Sequence, residues 1–62
     1  MKYRFIYVDV EDNDLQEKNY EFDSLEEAKD HALNLLGVDC SGAHHIEITS
    51  EDGRVIREKV FY

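Results

Sequence analysis

Nine residues near the start of the chain, Lys2 to Val10 (KYRFIYVDV), are apolar on both faces of an extended strand. Tyr3, Phe5 and Tyr7 fall on one side; Ile6, Val8 and Val10 fall on the other. Their β-branched and aromatic side chains favour a strand. A strand apolar on both faces belongs inside a sheet, with neighbours on either side and cover above and below. The rest of the chain must supply those neighbours.

It contains the signals for them. Glu11 to Lys18 is polar, with Asp12-Asn13-Asp14 as a turn cluster, and Asn19 to Phe22 reads as a second strand. Ser24 is an N-cap residue, and Glu27 three positions later completes a capping box. Glu26 and Glu27 lie where the helix dipole favours acids. Leu25, Ala28, Ala32, Leu35 and Leu36 form one stripe at helical spacing, and Gly37 is the expected left-handed C-cap. His44 to Ser50 reads as a third strand and Val55 to Phe61 as a fourth, joined by Glu51-Asp52-Gly53. Pairing Ser50 with Arg54 sets Ile48 against Ile56 and Glu47 against Arg57, matching apolar to apolar and acid to base.

The expected fold is therefore α+β, a ββαββ chain spanning residues 1–62 as a single domain. Its antiparallel sheet has the order 2-1-3-4, with β1 inside and the helix on one face. One helix cannot cover both faces of four strands, so an apolar remainder is expected on the open face. Such a remainder implies a partner or a self-dimer. Tyr3 and Tyr7 are the expected aromatic anchors of that contact.

Size and charge narrow the function. A chain of 62 residues buries only about 60 % of its unfolded surface. That leaves little material for the walls of a catalytic pocket. No nucleophile, base and orienting group stand out together, so a non-enzyme is expected. Fifteen acids against seven bases leave a net charge of −8. This disfavours direct binding to nucleic-acid phosphates and to anionic membranes. Residues 9 to 30 hold ten of the acids with only Lys18 and Lys29, so this segment carries all of the net charge. A one-sided field of this kind steers basic partners. Glu11, Asp12, Asp14 and Glu17 are the expected partner-binding acids.

Metal and cofactor readings are weaker. Cys40 and His44 have a zinc-like spacing, with His31 and His45 elsewhere in the chain, but no second cysteine completes a set. As strand neighbours, His44 and His45 would point to opposite faces. Asp9 to Glu17 lacks the sixth-position glycine and twelfth-position glutamate of a calcium loop. No cofactor and no metal are expected. A lone cysteine, the absence of a leader-like N-terminus and the absence of a long apolar run fit a cytoplasmic protein.

Three segments carry a resemblance: MKYRFIYV, YEFDSLEEAKDHAL and HIEITSEDGRVIREKVF. Together they resemble a family of small bacterial ββαββ proteins of unknown function. The shared features are an aromatic first strand, a helix entry of the form Phe22-x-Ser24-Leu25-x-x-Ala28, and the hairpin from Ile46 to Val55. More loosely, the strand followed by SLEEA is similar to HicB-type antitoxins and to small phage inhibitors of host enzymes. The family resemblance implies the fold and carries no activity; the looser similarities imply an inhibitory, protein-binding role. They imply no catalytic residues. The expected function is thus a small acidic module that engages a basic, nucleic-acid-binding protein surface through residues 9–30. The competing expectation is a homodimeric interaction domain whose acids only confer solubility.

Overall fold

A computed structural model describes residues 1–38 and 42–61. Its elements are β1 (Lys2–Val8), β2 (Asp14–Glu21), α1 (Leu25–Val38), β3 (His45–Ser50) and β4 (Glu58–Phe61). The four antiparallel strands run in the order β2-β1-β3-β4. The two-sided strand β1 is thus internal, as its pattern demands.

The aromatic face of β1 meets the helix. Tyr3, Phe5 and Tyr7 join Ala28, Ala32, Ile46, Ile48 and Val60 in the core. Ala28 and Ala32 have no side chain beyond Cβ, so the helix backbone can approach the sheet closely. It lies mainly over β3 and β4. Tyr20, Phe22 and His31 wrap Phe5, with ring centroids 4.7, 6.0 and 6.1 Å away. The start of the helix is capped by its own sequence. Ser24 Oγ accepts from the Glu27 amide at 3.3 Å. The Glu27 carboxylate accepts from the Asp23 amide at 3.2 Å, one residue before the usual recipient.

Several expectations need correction, among them the start of β4, which is Glu58 rather than Val55. The second strand starts at Asp14 rather than Asn19. Residues 14–18 have no apolar alternation, but an edge strand is held by backbone pairing and can leave its side chains in solvent. An extra residue, Leu15, makes a bulge where Tyr7 faces Gln16 and Val8 faces Asp14. The helix continues through Gly37 to Val38, and Gly37 does not take the positive φ of a C-cap.

The β3–β4 register is offset by two residues from the expected one: Ile46 faces Val60, Glu47 faces Lys59 and Ile48 faces Glu58. The connection is longer than a three-residue turn. The Ser50 amide donates to the Val55 carbonyl, and the Val55 amide donates to Ser50 Oγ, both at 2.9 Å. Arg57, at φ 55°, then redirects the chain into β4. The offset places Val60 under the helix and leaves Ile56 76 % exposed. Glu58 sits at the sheet edge and is paired with Lys29 at 3.2 Å.

The open face is not apolar. Strand alternation places Lys2, Arg4, Glu17, Asn19, Glu21, Glu47, Thr49 and Lys59 there, with Ile6, Val8 and Phe61 as the apolar members. Tyr3 and Tyr7 are only 3 % and 2 % exposed beneath the helix. They are core residues and are not available as partner anchors. The odd-numbered face of β1 is the bulkier one, and the single helix covers it.

Candidate functional site

The β1–β2 turn brings three of the expected site acids together at the surface. Asp9 organises it. The Asp9 carboxylate accepts from the Asn13 amide at 2.8 Å and from the Glu11 amide at 2.9 Å. Asp12 turns the chain at φ 65°, a conformation that Asp and Asn tolerate better than most residues. Glu11, Asp12 and Asp14 are all exposed. Among the described residues no cation lies within ion-pair distance of any of them. Glu17 lies further along β2, exposed on the open face, with Arg4 Nε 3.7 Å from its carboxylate. The structure therefore groups Glu11, Asp12 and Asp14, sets Glu17 apart, and removes Tyr3 and Tyr7.

Asp9 has a different role from the other acids of the segment. The Asn13 amide, then the Glu11 amide and the Asn13 side chain, hold its carboxyl below the ordinary value of 3.8. A depressed carboxyl contributes stability above its unfolded value and loses it as pH falls through the lower folded value. The Glu11 and Asn13 amide resonances should therefore titrate together with a midpoint below 3.8. An NMR pH titration checks this, and a midpoint at or above that value would remove Asp9 from the turn's support.

The turn overhangs a polar groove of about 480 Å³ lined by Asp12, Asn13, Asp14, Glu47, Arg57 and Lys59. A second, larger groove of about 630 Å³ runs beside Lys2, Arg4, Asn19, Glu21, Thr49 and Glu51. Both are open to solvent. Beside the first lies a polar chain that the sequence reading missed. His44 precedes β3 rather than belonging to it, so its ring turns back onto its neighbour. The two Nδ1 atoms are 2.9 Å apart. His45 Nε2 lies 3.3 Å from the Glu47 carboxylate, and Phe61 packs on both histidine rings. The i, i+2 spacing of His45 and Glu47 in a strand was the available signal, since it places both on one face.

The described residues contain no group of three or more His, Cys, Asp or Glu arranged to hold a metal ion. Cys40, considered above, lies outside the described residues. Among the described residues no helix is long and apolar enough to cross a membrane. No protein-family model, curated protein or solved structure matches the chain. The functional reading therefore rests on the chain's own geometry.

Proposed function

We propose that this protein is a non-enzymatic, cytoplasmic binding module that engages a basic protein surface through residues 9–30. The observation that carries the reading is the turn. Glu11, Asp12 and Asp14 are presented at one end of the sheet without ion-pair partners among the described residues, while Asp9 and Glu27, in the same segment, are spent on local structure. Exposed surface charge held outside ion pairs accelerates encounter with an oppositely charged partner and is screened by salt. In its sharpest form the module is an inhibitor that occupies a nucleic-acid-binding surface by offering carboxylates where phosphates would lie.

The test is affinity capture from a bacterial lysate at low and high salt, with the retained proteins identified by mass spectrometry. The expected result is one basic, nucleic-acid-handling partner, lost at high salt. The quadruple variant Glu11→Gln, Asp12→Asn, Asp14→Asn, Glu17→Gln should fold normally and lose that partner. Undiminished capture by the variant would reject the reading.

A further inference from the structure

The backbone of β2 offers a docking edge. Met1 and Phe22 exchange two backbone hydrogen bonds, each 3.0 Å long. Antiparallel pairing alternates, so Tyr3/Tyr20, Phe5/Lys18 and Tyr7/Gln16 are also hydrogen-bonded pairs. The residues between them, Glu17, Asn19 and Glu21, must then direct their N–H and C=O groups away from the sheet. All three are exposed, and the helix packs mainly over β3 and β4, its His31 ring reaching Tyr20 on the inner face of β2. The other edge differs. β4 has four residues among those described, Glu58–Phe61, and its outward positions include Lys59, a common way of blunting an edge.

We propose that β2 binds an extended basic segment of a partner protein as an added antiparallel strand. This rests on the reading of the protein as a module for basic partners and names how such a partner is held. Charge selects the occupant. A segment paired with β2 would place alternate side chains beside Glu17, Asn19 and Glu21, with directly opposed Cβ atoms about 5 Å apart. Lysine or arginine opposite Glu17 and Glu21 is favourable there. Lys2 and Arg4 lie a further strand away, at about twice that distance, and Arg4 is already engaged by Glu17. The larger groove, beside Asn19 and Glu21, gives long side chains somewhere to lie. A second copy of this chain is a poor occupant. Two-fold pairing about Asn19 would set Glu17 against Glu21 of the other copy twice, and like charges directly opposed are destabilising.

The probe is an eleven-residue peptide of alternating lysine and threonine. Its control is the same peptide N-methylated at the lysine amides, which keeps every charge and removes the donors that would face β2. Binding is read by fluorescence anisotropy, and amide exchange of the protein by NMR. The expected result is that the plain peptide binds, the methylated one binds at least about tenfold more weakly, and exchange slows at Glu17, Asn19 and Glu21. Asn19→Pro, which removes one outward donor at an edge position where proline is tolerated, should weaken the plain peptide alone. Equal binding of both peptides, with exchange unchanged, would overturn strand addition and leave the acidic-surface reading standing. Binding of neither peptide also overturns it, and lysate capture then judges the broader reading separately. Slow exchange at these amides in a dimer without peptide would overturn it in favour of a second copy.

Discussion

Phe5→Ala abolishes the cooperative thermal transition, or moves it down by tens of degrees. Phe5 is wholly buried at the centre of β1. Tyr20, Phe22 and His31 surround its ring, and the Ala28–Ala32 stripe of the helix belongs to the same core. Those neighbours are rings on β2, on the short β2–α1 connection and on the helix, and they cannot fill the vacated space without moving the backbone. Truncating a buried phenylalanine to alanine costs about 3–5 kcal/mol. Small domains sit near the lower end of the usual stability range of about 5–15 kcal/mol, so most of the folding free energy goes. Each kcal/mol shifts the melting temperature of a domain this size by about 4–8 °C. Circular dichroism melts of Phe5→Ala and Phe5→Leu check it, the leucine variant keeping most of the volume and the transition. An alanine variant that melts within a few degrees of the parent would show that helix–sheet packing is not what holds the fold.

Glu47→Ala should cost about 1–3 kcal/mol, more than loss of an exposed acid. Glu47 and His45 lie on the open face yet are 8 % and 3 % exposed. Phe61 packs on His45, and Arg57 Nε approaches Glu47 at 3.9 Å. An ionised Glu47 accepts from His45 Nε2–H, which leaves His45 Nδ1 as the acceptor for His44 Nδ1–H. Removing the carboxylate strands a buried donor and loosens the tautomer order of the chain. Stranded buried polar groups cost about 1–3 kcal/mol. Glu47→Gln retains an acceptor oxygen and should recover most of the loss. By contrast, the exposed Arg4–Glu17 pair is worth about 0–1 kcal/mol. Urea titrations decide between them. A Glu47→Ala midpoint no further from the parent than that of Arg4→Ala would mean that the His45–Glu47 contact contributes nothing.

Much of the architecture was legible because its signals are local. The Ser24–Glu27 cap, the Ala28–Ala32 stripe and the Asp-Gly turn each lie within a few residues, and each acts on the backbone beside it. The two-sided pattern of β1 was enough to place it inside the sheet and so to set the strand order. The candidate acids were legible as charge. Their division was not: the Asp9 carboxylate became the acceptor for two turn amides that the fold aims at it, and the extension of β2 back to Asp14 put Glu17 within the strand, apart from the turn.

The sequence by itself determined the order of elements, the helix entry, the position of β1 and the concentration of acid in one segment, since periodicity, capping and charge are properties of neighbouring residues. Tertiary structure decided which face of β1 lies under the helix, how far β2 extends, the two-residue offset of β4 and the burial of His45 with Glu47. Each of these is a choice between pairings of nearly equal local quality. The outcome puts Tyr3, Phe5 and Tyr7 with Val60 in the core under the single helix and leaves Ile56 in solvent.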